Sequence, residues 1–135
     1  MVLLPETTGK PTQLGDLEET LMMASAIEGV MPCIDFSHLH ARSCGEYNTI
    51  EEFRSVFESV ENALGRVGLD SMHCHISGIA YTEKGEKNHL LHQESDYNYI
   101  DLMAVFHEFD IKGLVICESP NLEEDALLLR NTFSN

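Results

Sequence analysis

The sequence predicts an α/β fold of four consecutive βα units with parallel strands, together half of an eightfold (β/α)8 barrel. Three observations predict it. Short apolar runs alternate with helix-period segments four times along the chain, and strands separated by single helices join through right-handed crossovers into a parallel sheet. The strand segments are near-continuous apolar runs, as expected where both faces of a sheet are covered. Each also ends in a carboxylate or an imidazole, and parallel α/β folds gather such side chains at the carboxyl ends of their strands. A complete barrel of this kind needs about 250 residues. The 135 residues therefore form a small open sheet, a fragment of a barrel, or a half-barrel that pairs with another chain. Of these, a single half-barrel domain, 1–135, is the expectation.

The first unit opens with "VLLPE" at 2–6 and leaves through the polar loop "TTGKPTQLG". A helix starts at Asp16, where Glu19 completes a capping box, and Leu17, Leu21 and Ala24 mark its apolar face up to a stop at Gly29. The second strand is "CIDFSH", 33–38, followed by the loop "LHARSCGEYN". Thr49 and Glu52 form another capping box, and Ile50, Phe53, Phe57, Val60 and Leu64 line one side of a helix ending at Gly65. The third strand is "SMHCHIS", 71–77, and a long loop over 78–95 leads to a helix capped by Ser95 or Asp96, with Leu102, Met103, Phe106 and Phe109 inward. The fourth strand is "GLVICE", 113–118, and its helix opens at Asn121 with Leu122, Ala126 and Leu129 on the packed face.

Composition narrows the partners. The apolar runs at 113–117 and 126–129 are far shorter than the roughly 20 residues that span a bilayer, and the N-terminus lacks a basic region followed by a long apolar one. A cytoplasmic protein without a membrane partner is expected. Cys33, Cys44, Cys74 and Cys117 show no CxxC spacing, and three of them sit in strand segments, which fits a reducing compartment. Eight Lys and Arg against 23 Asp and Glu leave a formal charge of −15, which weighs against polyanionic partners. Nucleotide-binding glycine loops and serine-hydrolase elbows are absent.

The chemistry-bearing residues are the strand ends: Glu6, Asp35 with His38, His75, and Glu118. Taken singly, each is more often a hydrogen-bonded core group or a helix cap than a ligand. Four separate strands delivering such groups to the same end point instead to a divalent cation, whose binding offsets the cost of buried carboxylates. Mixed oxygen and nitrogen donors suit zinc or manganese. His73 shares the face of His75 one pleat deeper and reads as a core or supporting residue, while His40, His92 and His107 read as solvated.

Five segments in order resemble the endonuclease IV type of abasic-site endonuclease, within the xylose-isomerase-like barrel group. "LPETTGKPTQLGDLEE" resembles that family's fifth-strand segment, "CIDFSHLHA" its D-T-C-H-A, "HISG" its H-L-N-D, "EKGEKNHLL" its D-R-H and "ICESPN" its L-E-T-P. The resemblance covers the C-terminal half of the family's barrel. It implies that Glu6 bridges two metals, that Asp35, His75 and Glu118 complete one metal's shell, and that His38 and His89 serve a third. Glu6 and Glu118 are then the catalytic carboxylates, the cofactor is two or three zinc ions, and the reaction is hydrolysis of the DNA phosphodiester 5′ to an abasic site. Lys87 stands where the family has an aspartate two residues before its histidine, leaving Glu83 or Glu86 as the available carboxylate. The Asn-Asp pair after the third-strand histidine is also absent. Because the family's first half supplies further ligands, a homodimer or a missing N-terminal half is expected to complete the site. Two other readings remain open: a sugar isomerase or epimerase of the same barrel group, using one metal, and a half-barrel without chemistry.

Overall fold

The computed structural model describes residues 1–135. Its centre is a parallel three-stranded sheet in the order β1 (Cys33–Asp35), β2 (Met72–Ile76), β5 (Gly113–Cys117). The register pairs Cys33 with His73 and Asp35 with His75, then His73 with Leu114 and His75 with Ile116. Ahead of β1 the N-terminal segment runs parallel to it but meets the sheet only at two isolated bridges, Leu3 with Val30 and Glu6 with Cys33. The expected strand at 2–6 is therefore an edge segment held at two points. Pro5 lies between those points, and a proline nitrogen cannot donate to a ladder.

Helices cover one face. In α1 (Leu17–Ala26) the expected capping box forms, with Asp16 accepting from the Glu19 N–H at 2.8 Å. The second capping box likewise opens α3 (Ile50–Leu64), whose Phe53, Val56, Phe57 and Val60 are fully buried. A short α4 (Arg66–Asp70) follows Gly65. The core joins the α3 side chains to Ile34, Cys74 and Ile76 on the outer face of the strands and to Leu102, Val105 and Phe106 of α5 (Tyr99–Glu108). Phe57 and Phe106 meet edge to face at 5.2 Å between ring centres.

Five expectations change. The strand beginning at Cys33 stops at Asp35, because Asp35 caps α2 (Phe36–Arg42), accepting from the His38 N–H at 2.9 Å. The loop expected over 78–95 is an antiparallel hairpin, β3 (Gly78–Thr82) and β4 (Gly85–Leu90), followed by a single 3-10 turn at His92–Glu94. The cap of α5 is Asn98, not Ser95 or Asp96, since the Asn98 side chain reaches the Asp101 N–H while Ser95 and Asp96 bond elsewhere. The last helix, α6 (Glu123–Ser134), buries Leu129 but leaves Leu122 and Ala126 exposed. Finally, β5 is exposed along Leu114, Val115 and Ile116, so the sheet is not covered on both faces at that edge. No helix of the chain is long and apolar enough to cross a membrane.

Candidate metal centre

Period-two alternation sends Cys33, Asp35, His73 and His75 to the sheet face away from the helices. Glu6 reaches the same face from the edge segment, level with Cys33, and Glu118 follows two residues after Ile116, one pleat beyond His75. The two long carboxylate side chains therefore converge from opposite directions on the Asp35–His75 pair. His75 Nδ1 lies 3.1 Å from Glu6 Oε1, 3.4 Å from Glu118 Oε1 and 4.0 Å from Asp35 Oδ2. One donor atom from each of Glu6, Asp35, His75 and Glu118 falls within 4.8 Å of all the others.

Asp35 is held from three sides. Its Oδ1 accepts from the Ser37 hydroxyl at 2.5 Å and from the His38 N–H, while its own N–H donates to the Thr7 hydroxyl at 2.9 Å. The residue is completely buried, yet Oδ2 has no hydrogen-bond partner. A buried carboxylate oxygen left bare is costly, and burial pushes the Asp35 carboxyl up to about 6 against the opposing pull of His38 and its own hydrogen bonds. An orphan carboxylate oxygen facing a carboxylate–imidazole ring of donors fits a divalent cation.

A second group adjoins the first. His38, Glu86 and His89 place one donor atom each within 4.8 Å of the others. The His38 Nδ1–H donates to the Thr7 carbonyl at 2.9 Å, so Nε2 is the remaining nitrogen, and it faces Glu86 Oε2 at 3.1 Å. Two acceptors at that distance require a proton or a cation between them. Burial works against the His38 imidazolium, but Asp35, the Thr7 carbonyl, Glu86 and Glu6 outweigh it and hold its pKa above the ordinary histidine value. His89 Nδ1 donates to the Glu118 carbonyl at 3.1 Å, tying this group to the end of β5.

Glu86 owes its position to a β-bulge. The hairpin pairs Ile79 with His89 and Ala80 with Asn88, but Tyr81 with Glu86, so Lys87 is the extra residue. The bulge puts Glu86 in phase with His89 despite their three-residue separation. Glu86 is thus the carboxylate beside His89, while Glu83 at the hairpin tip is exposed. The tip is fixed to the loop at 7–15, where the Glu86 N–H donates to the Gly9 carbonyl at 2.8 Å. Arg42 clamps that loop, donating to the Thr8 hydroxyl at 2.7 Å and the Gln13 carbonyl at 2.8 Å.

Sequence reasoning left Thr7 and Ser37 out of the site, and two histidines expected in solvent are buried. His40 contacts Asp96 at 3.0 Å, and Tyr81 donates to the same carboxylate at 2.5 Å, so His40 anchors the hairpin to α2. His92 is buried against Tyr99, with ring centres 4.9 Å apart. His107 is exposed as expected and stacks on Phe133.

The family model described as "Xylose isomerase-like TIM barrel" matches residues 1–132 of this chain. The chain belongs to that family. A curated relative, the uncharacterized protein MJ0133 of Methanocaldococcus jannaschii, is 48% identical over 134 residues, which is 99% of this chain. Those residues make up 49% of the relative, so the chain spans about half the length of the curated relative it matches. Barrels ordinarily build their sites on the face at the carboxyl ends of their strands. Glu6, Asp35, His75 and Glu118 stand at that face.

Proposed function

We propose that the chain is a metal-dependent phosphodiesterase of the endonuclease IV type, acting on DNA 5′ to an abasic site, with a second half-barrel completing its active face. The observation that carries this reading is the pair of adjoining donor groups, Glu6–Asp35–His75–Glu118 and His38–Glu86–His89. A single-metal isomerase needs only the first. Bound zinc would supply an activated water and neutralise charge on the departing oxygen, the two requirements of phosphodiester hydrolysis.

The chain's own residues divide the remaining work. Asp35 is pre-positioned by Ser37, Thr7 and the α2 N-terminus, so it meets a cation without reorganising. His38 links the groups, with Nδ1 3.4 Å from Glu6 and Nε2 beside Glu86. Lys10 on the loop at 7–15, and Lys84 and Lys87 on the hairpin, are exposed where those elements meet. They are three of the chain's four lysines and give an otherwise acidic surface a basic rim for a phosphate backbone.

The charge of −15 favours the second reading, a one-metal sugar isomerase or epimerase of the same barrel group, which needs no DNA surface. The test is incubation of zinc-loaded protein with duplex DNA carrying one tetrahydrofuran abasic analogue, with and without chelator. Chelator-sensitive incision at the analogue supports the nuclease. No incision by protein holding two or more zinc ions per chain would sink it, and one ion per chain with no incision favours the isomerase.

A further inference from the structure

The interior of an eightfold barrel is ordinarily packed with bulky aliphatic side chains. Here the layer beneath the carboxylate centre is different. Cys33 and His73 are register partners across β1 and β2, repeating one pleat lower the pairing of Asp35 with His75. Donor atoms of Cys33, His73 and His75 lie within 4.8 Å of one another, and the two imidazole rings are 5.4 Å apart. Cys33 is almost fully buried, whereas His73 and His75 are partly buried on the open sheet face.

We propose that Cys33, His73 and His75 form a separate, thiolate-containing zinc site one pleat below the carboxylate centre. The donor types argue for it. One sulfur and two imidazoles are a zinc set, and three protein ligands leave a fourth position open to water or another ligand. His75 serves this site through Nε2, since its Nδ1 edge faces Glu6 and Glu118. Glu6 then accepts from Nδ1–H and fixes the tautomer, the carboxylate–histidine–metal arrangement that orients many zinc ligands. Loading releases the Cys33 thiol proton to solvent. If the carboxylate centre fills as well, it draws on the opposite nitrogen of the same ring and releases the Nδ1 proton too.

Other thiols are less suited. Cys74 sits on the opposite face of β2 within the hydrophobic core, and Cys44 is exposed beyond α2. The competing account of Cys33 is a small apolar residue filling space, which is the commoner role of a buried thiol.

Cobalt separates the two, because a thiolate ligand gives Co2+ an intense near-ultraviolet charge-transfer band that carboxylate and imidazole ligands do not. The reduced full chain, titrated with Co2+, is expected to develop that band with one equivalent bound at this site. Cys33→Ser abolishes the band and Cys44→Ser leaves it. His73→Ala, at a partly buried position outside the hydrophobic core, weakens the binding read from the band at least tenfold while circular dichroism registers an unchanged fold. Asp35→Asn combined with Glu118→Gln dismantles the carboxylate centre but keeps the band, so failure of this site and failure of the proposed nuclease centre are told apart. Absence of the band from the cobalt-saturated chain overturns the proposal, as does its survival in Cys33→Ser. Zinc displacing the band at equimolar concentration supports it; failure of excess zinc to do so counts against zinc as the native ion.

Discussion

Asp35 shows how a single residue can be costly for the fold and useful for the site. Its buried Oδ2 has no hydrogen-bond partner, and the His38 ring 3.3 Å away only partly offsets the cost of burial beside Glu6. Asp35→Asn is expected to stabilise the metal-free chain by about 1–2 kcal/mol, the gain seen when a strained functional group is neutralised. In a Cys33→Ser background, which lacks the thiolate site, the same change removes the thermal shift produced by zinc. Melting curves of both proteins with zinc and with chelator check this, and a destabilised metal-free Asp35→Asn would mean that Oδ2 is satisfied after all. His92 carries the second prediction at this scale. Burial lowers its pKa below 6.5, with Asp125 pulling the other way, so the fold holds the ring neutral. As pH falls through 6.5 the unfolded chain takes up a proton that the folded chain refuses, and stability declines until the folded pKa is passed. Between pH 7.5 and 5.5, His92→Phe is expected to lose less stability than the unmodified chain in urea titrations; equal losses would place the acid sensitivity elsewhere. Burial of His92 was not legible in the sequence, because it depends on Asp125, 33 residues away, and on how the 3-10 turn sets the ring against Tyr99. Asp35, His75 and Glu118 were legible because strand alternation and strand ends are local features.

At the scale of elements, the βα periodicity announced α1, α3, α5, β2 and β5, whereas the hairpin and α2 stayed hidden. Seven-residue α2 has too little length to show a helical period, and it begins within what reads as a strand. The hairpin "GIAYTEKGEKNHL" lacks the alternation of a half-buried strand pair because its outer strand buries only Gly85 and carries the bulge at Lys87. Its stability comes instead from the His40–Asp96–Tyr81 contacts onto α2, which join residues up to 56 positions apart. Glu86 was one of two open choices for the same reason, since the bulge at Lys87 shifts its phase. A direct consequence is that the hairpin register and the metal-facing side of Glu86 do not depend on Lys87. Deleting it leaves every other pairing of the hairpin in register and turns the bulge into regular ladder, with Glu86 two residues before His89 and still on its face. The deletion is expected to change stability by less than about 1 kcal/mol and to leave zinc content per chain unchanged. Glu86→Gln is expected to lower that content. Loss of zinc on deleting Lys87 would show that the bulge itself shapes the group.

For the whole molecule the open edge of the sheet dominates. β5 leaves Leu114 and Ile116 at 54% and 37% exposure on the ligand-bearing face, with no strand beyond them. On the other edge the N-terminal segment exposes Val2, Leu3 and Leu4 and is tied to β1 by only two bridges. Unpaired parallel edges and apolar faces of this kind invite association. The second half-barrel proposed above would fit both edges at once, with β5 against the partner's N-terminal segment and the reverse at the second seam. Such a two-fold pairing also places a partner's Glu6 beside Glu118, concentrating carboxylates that only cations can neutralise. Association should therefore strengthen with zinc and weaken with chelator. Light scattering of the isolated chain is expected to give twice its 15.2 kDa mass in zinc. Leu114→Lys is expected to shift the equilibrium to monomer at least tenfold, since burying an unpaired ammonium in the seam costs several kcal/mol. Because Leu114 is exposed in the single chain, the substitution should leave the monomer's own fold intact, which circular dichroism would register. A chain that stays monomeric in zinc at high concentration and binds no apolar dye would mean that the open face is stable in water and needs no second half.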